Sequence, residues 1–94
     1  MTNLLPLPGI SNYTIAVLAP QTFDETAQAV DALRAGTVIL LNFANLGTEL
    51  AQRLADFAAG STCAISGNQQ QLGYRLYLFT PPTVINIITT LKAC

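Results

Sequence analysis

Apolar and polar residues alternate along this chain with two periods, and the switches between them outline a fold. Thr14-Ile15-Ala16-Val17-Leu18 is an apolar run of strand length, stopped by Pro20. Beyond it Phe23, Ala27, Val30 and Leu33 recur at i, i+4, i+7 and i+10, the spacing of one helical face. Thr22 stands as N-cap with Glu25 three residues on, Arg34 occupies the last turn, and Gly36 ends the helix. Thr37 to Asn42 forms a second strand, whose core Val38-Ile39-Leu40-Leu41 suits burial on both faces. After a turn at Asn45 to Gly47, a second helical stripe comprises Leu46, Leu50, Leu54 and Phe57 and is closed by Gly60.

The remainder carries strand and turn signals. Thr62 to Ser66 reads as a strand, Gly67-Asn68 as a tight turn, and Gln69 to Leu72 as a short polar strand. A second turn at Gly73-Tyr74 leads into the strand Arg75 to Thr80, ended by Pro81-Pro82; Val84 to Ile88 is an edge strand or a tail packed on the sheet. Residues 1–13, with Pro6, Pro8, Gly9, Ser11 and Asn12, form a lead-in arm or loop, leaving 14–94 as one core domain. The expected architecture is β-α-β-α-β-β-β. It is an α/β two-layer sandwich in which two helices cover one face of a mixed, about five-stranded sheet, and crossovers make its first three strands mostly parallel.

Two helices leave the other sheet face uncovered, yet that face is also apolar. Ile15 and Val17 oppose Ala16 and Leu18, Val38 and Leu40 oppose Ile39 and Leu41, and Leu76 and Leu78 oppose Tyr77 and Phe79. Leaving such side chains wet forfeits about 1.5–3 kcal/mol each, so a second copy or a bound segment is expected to cover them. Composition strengthens the point. Only 10% of the 94 residues are charged and 51% are hydrophobic, against about 25% charged in ordinary domains, which leaves too few polar side chains to coat a globule of this size.

Charge and chemistry narrow the function. A net charge of −1 from four basic and five acidic residues does not suit nucleic acid. The absence of His removes most acid–base relays, Ser–His and Cys–His nucleophiles and the commonest metal ligand. Asp24 and Glu25 complement a helix dipole, Asp31, Glu49 and Asp56 suit solvent, and no carboxylate pair has acid–base spacing. The glycines stand one per loop, outside any phosphate-binding pattern, and Lys92, the one lysine, is near the C-terminus. The chain therefore reads as a non-enzyme with no cofactor and no metal. Cys63 is expected to be a small buried hydrophobe and Cys94 a bystander. No signal peptide and no apolar run of about 20 residues occurs, so the chain reads as cytosolic.

Two polar features remain. Tyr77 sits between Leu76 and Leu78 with a hydroxyl that needs a partner or water, and Gln69-Gln70-Gln71 makes an unusually polar strand. Tyr77 is then either a core aromatic beside exposed edge glutamines, or part of a groove for a partner peptide.

From Ile15 to about Ile87 the chain resembles the globular core of SepF, a bacterial cell-division family. The resemblance rests on Ala19-Pro20 followed by Thr22-Phe23-Asp24-Glu25, on Val38-Ile39-Leu40-Leu41-Asn42, and on Ala51 to Gly60, which match the family's A-x-R-h-x-D-F-x-x-G helix, h being apolar. Ala64-Ile65-Ser66-Gly67 and Leu76-Tyr77-Leu78-Phe79-Thr80-Pro81 are similar to two further family motifs, and Leu7 to Asn12 is similar to cyanobacterial members.

The resemblance implies a two-layer α/β core that forms homodimers, assembles in some members into higher polymers, and binds the C-terminal tail of FtsZ, the tubulin-like division protein. It implies partner-peptide binding by Tyr77, with Phe79 beside it on the strand and Gln71 at the pocket, where members commonly carry a basic residue. The uncharged amide loses a charge-assisted contact to an acidic tail, about 1–2 kcal/mol. It further implies self-association at Gly67, with Leu41 and Ile39 as apolar candidates for the same role. The family's amphipathic membrane helix has no counterpart in residues 1–13, so no direct membrane contact is expected, and the chain is either a core without that helix or a short paralogue. Its expected location is the cytoplasm, with recruitment to the division site. Two alternatives stand beside the adaptor: a self-assembling structural protein that no longer binds FtsZ, and a small-ligand regulatory domain.

Overall fold

In the computed structural model the backbone is described for residues 2–6, 14–82 and 92–93, and side chains for residues 15–82. The strands are β1 (Thr2–Pro6), β2 (Thr14–Leu18), β3 (Val38–Asn42), β4 (Asn68–Gly73), β5 (Leu76–Thr80) and β6 (Lys92–Ala93). The helices are α1 (Phe23–Arg34), between β2 and β3, and α2 (Thr48–Ala64), between β3 and β4.

Both ends of α1 follow from local chemistry. Thr22 is extended and its Oγ1 accepts the Glu25 amide at 3.1 Å, while Glu25 Oε1 accepts the Gln21 amide at 2.7 Å. At the other end Gly36 has φ +107°, and the amides of Gly36 and Thr37 return to the carbonyls of Leu33 and Ala32 at 3.0 Å each, a paired closure that satisfies two late carbonyls. The buried stripe is rotated from the expected one. Thr26, Ala29, Val30 and Leu33 face inward, whereas Phe23 is 54% exposed and packs against Phe57 with ring centroids 4.4 Å apart.

Helix α2 departs further from expectation. It does not stop at Gly60 but runs to Ala64, so Thr62 to Ser66 is not a strand. Its buried face is Ala51, Leu54, Ala55, Ala58 and Thr62, mostly small residues that let the helix lie close to the sheet. Keeping Thr62 in that seam outweighs the ~1 kcal/mol that a mid-helix glycine costs. The same rotation leaves Leu50 40% exposed and turns Cys63 to solvent, correcting the expectation of a buried thiol. The closure has Ser66 as its left-handed residue, φ +61°, with Ser66 N–H to Cys63 O at 3.0 Å and Gly67 N–H to Thr62 O at 2.9 Å.

The sheet order is β1-β2-β3-β5-β4-β6. Strands β2 and β3 are parallel across α1, while β5 lies between β3 and β4, antiparallel to both. The two helices and the mixed sheet make the expected two-layer α/β sandwich. Its central strands number four, β2 to β5, because the expected strand at Thr62 to Ser66 is largely the end of α2; β1, within the segment expected to be an arm or loop, and β6 pair on the flanks. The expectation of three mostly parallel leading strands holds for β2 and β3 only. Val84 to Ile88, and Cys94, lie outside the described residues.

The core lies between helices and sheet, built from Ala16, Ile39, Leu41, Phe43 and Phe79 against Ala29, Val30, Leu33, Leu54 and Ala58. On the other sheet face Val38 and Leu78 are also buried, and Ile15, Val17 and Leu40 are half-buried.

Candidate functional site

The β4–β5 hairpin and the strand register place the residues in question. Leu18 pairs with Leu41, Leu41 with Tyr77, and Tyr77 with Gln71, so these four form one row across β2, β3, β5 and β4. Directly paired residues share a face, and Leu41 and Tyr77 pack on the core under the helices. Tyr77 is half-buried, next to the exposed Gln71 that ends the row. Its ring is tilted 53° to that of Phe43 at 6.1 Å and lies at 25° to that of Phe79 at 6.2 Å, within the range of aromatic attraction. Among the described residues no buried polar side-chain atom lacks a partner.

Gln71 is exposed beside Tyr77, and its Nε2 donates to the Gly73 carbonyl at 3.0 Å across a bulge between Gln71 and Gly73. The structure thus brings Tyr77 and Gln71 together. Phe79 supports them from beneath, because it is wholly buried and offers no surface of its own.

The self-association candidates lie elsewhere. Ile39 and Leu41 are completely buried on the helix side of β3, within the chain's own core, and have no surface to present to a second chain in this conformation. Gly67 joins α2 to β4 at the opposite end of the hairpin from Gln71 and is buried. A Cβ there would stand 2.5 Å from the Thr80 carbonyl oxygen and 2.9 Å from Thr62 Cγ2. The absence of a side chain at Gly67 is demanded by packing within the chain. Its φ lies outside the left-handed region, which Ser66 occupies instead.

Two residues at the site were not singled out from the sequence. Phe43 continues the alternation of Ile39 and Leu41 one step beyond β3, a signal that could have found it. Arg75 leads β5 with φ +53°, and its carbonyl accepts the Phe43 amide at 2.8 Å. Its guanidinium donates through Nη1 to the Leu46 carbonyl and through Nη2 to Thr48 Oγ1 at 2.8 Å. No sequence period announces such a link.

Two surface ion pairs, Arg53 with Glu49 at 3.2 Å and Arg34 with Asp31 at 4.0 Å, are of the exposed kind that contributes little. Among the described residues no group of His, Cys, Asp or Glu could hold a metal ion, and no helix is long and apolar enough to cross a membrane. The arrangement is a half-buried aromatic beside an exposed amide.

Comparison with known proteins agrees with the residues that suggested a family. The family model described as cell division protein SepF matches residues 15–85. A cell division protein SepF of Prochlorococcus marinus is 40% identical over 85 residues, covering 88% of this chain and 44% of that protein. Those of Synechococcus elongatus and Trichodesmium erythraeum are each 42% identical, over 84 and 86 residues, covering 88% and 89% of this chain and 44% and 41% of the relatives. The chain thus spans less than half the length of these curated relatives, all named for division and not for catalysis. With the match running from β2 through the Tyr77 hairpin, the chain belongs to the SepF family of cell division proteins.

Proposed function

We propose that residues 14–94 form a non-enzymatic adaptor core that binds the C-terminal tail of FtsZ in a groove at Tyr77, as a homodimer recruited from the cytoplasm to the division site. The observation that carries this reading is Tyr77 itself. It is a half-buried aromatic that lies near Phe43 and Phe79 and is paired with Gln71, within a stretch matched to the SepF family. Aromatic residues with one dry and one wet end anchor peptide interfaces. Support for the dimer comes from apolar surface: Ile15, Val17 and Leu40 are half-buried on the sheet face away from the helices, and Phe23 and Leu50 stand exposed on the helix layer.

The test is fluorescence anisotropy of a labelled FtsZ tail peptide titrated with the protein, beside light scattering for mass. Saturable binding is expected, and Tyr77→Ala should weaken it at least tenfold, about 1.4 kcal/mol or more, without changing the mass. Equal affinity of the variant would remove Tyr77 from the groove. A second reading, a self-assembling scaffold without tail binding, draws on Gln71, whose uncharged amide is already engaged by the Gly73 carbonyl. A mass that grows with concentration while the peptide stays unbound at millimolar protein would favour it.

A further inference from the structure

The β3–α2 loop and the β4–β5 turn are distant in sequence but are joined by one residue. Arg75 holds a left-handed backbone conformation, φ +53°, which an arginine adopts where its surroundings require it. Its carbonyl takes the Phe43 amide at 2.8 Å. Its side chain spans 29 and 27 positions of sequence to reach the Leu46 carbonyl and Thr48 Oγ1, and its guanidinium carbon lies 4.8 Å over the Tyr74 ring. Leu46 in turn donates its amide to the Phe43 carbonyl at 3.1 Å. Phe43 is thus held through its own amide and through the loop that follows it, and its ring is one of the two aromatics against Tyr77.

We infer that Arg75 is a positioning residue of the proposed groove: by clamping the β3–α2 loop to the β4–β5 turn it holds Phe43 against Tyr77 and sets how Tyr77 is presented. The inference rests on the tail-binding reading for its functional consequence. The guanidinium serves two neutral acceptors through separate nitrogens, a fork that a lysine ammonium does not reproduce. An arginine acting by charge on an acidic peptide would tolerate lysine. One acting by its fork does not.

The experiment compares wild type, Arg75→Lys and Arg75→Gln in tail-peptide anisotropy at two salt concentrations. In parallel, NMR of the peptide-free proteins follows ring-to-ring contacts between Phe43 and Tyr77 and exchange of the Phe43 amide. Both variants are expected to bind about tenfold more weakly, the scale of one hydrogen bond to a charged group. Their salt dependence should equal that of the wild type, with weakened Phe43–Tyr77 contacts and faster exchange of the Phe43 amide. Thr48→Ala removes one acceptor at an exposed residue and should show the same pattern at smaller amplitude, even if an Arg75 variant fails to fold. Lysine binding like wild type while glutamine does not would overturn the inference in favour of a charge contact. Ring contacts and amide exchange unchanged in all variants would overturn it as well. If wild type binds no peptide, the tail-binding reading fails, and the NMR comparison still decides whether Arg75 positions Tyr77.

Discussion

Replacing Gly67 with alanine separates a packing role for this glycine from an interface role. The added Cβ would lie 2.5 Å from the Thr80 carbonyl oxygen, 2.9 Å from Thr62 Cγ2 and 3.3 Å from the Thr62 carbonyl oxygen. None of these neighbours yields easily. Thr80 is wholly buried in β5 and pairs with Asn68, while Thr62 is wholly buried and its hydroxyl donates to the Ala58 carbonyl at 2.8 Å. Overpacking of this kind costs about 2–3 kcal/mol, offset by about 0.4–1 kcal/mol because alanine restricts the unfolded chain. The net loss of about 1–2.5 kcal/mol, at ~4–8 °C per kcal/mol for a domain of this size, lowers Tm by about 4–20 °C. Calorimetry reads the Tm, and light scattering below the transition reads the mass. Thr62→Ser removes the Cγ2 contact but leaves both carbonyls in place, so in the Gly67→Ala background it should recover part of the loss, with a coupling of opposite sign to the single effects. An unchanged Tm together with a smaller particle would refute the packing argument and place Gly67 on an interface.

Two other substitutions address the hairpin and its approach. Ser66→Gly relieves a left-handed serine whose conformation costs about 1–2 kcal/mol, partly offset by the freedom glycine adds to the unfolded chain, so Tm should rise by about 2–5 °C; a fall would mean that the serine side chain stabilises the α2 closure. Gln71→Arg places a cation beside Tyr77 and should tighten tail-peptide binding about fivefold to tenfold, with the gain diminishing as salt rises. No gain at low salt would show that position 71 faces away from the peptide.

Residues Tyr77 and Gln71 were suggested by the resemblance and by the polar character of their strands, but their pairing was not legible from spacing. A hairpin closed at the expected Gly73-Tyr74 turn would set Gln70 opposite Tyr77; the chain turns instead at Tyr74-Arg75, and a bulge between Gln71 and Gly73 brings Gln71 opposite Tyr77. The capping chemistry of α1, the stop at Gly36 and the positions of β2, β3 and β5 were written in local sequence, because each depends on groups within a few residues of one another. Arg75 was not legible, because its role comes from a turn meeting a loop across 27 or more positions, whereas Phe43 continued the alternation of Ile39 and Leu41 and was passed over.

The sequence alone determined the two periods, hence two helices and a mixed sheet, and it determined that both faces of the central strands are apolar. Tertiary structure decided where α2 ends, which face of each helix turns inward, and that β5 inserts between β3 and β4. In α2 the larger residues Leu50 and Phe57 are exposed and half-buried, while Leu54 lies with Ala51, Ala55, Ala58 and Thr62 on the buried face. Hydrophobicity ranks the larger side chains as the inner ones, but close approach of a helix to a sheet selects small ones. Seating Thr62 and Gly67 beside Thr80 carries the helix past Gly60 and leaves Cys63 in solvent. Propensity acts over a single turn, whereas packing acts across the whole layer, and where the two conflict in this chain the larger sum of contacts prevails.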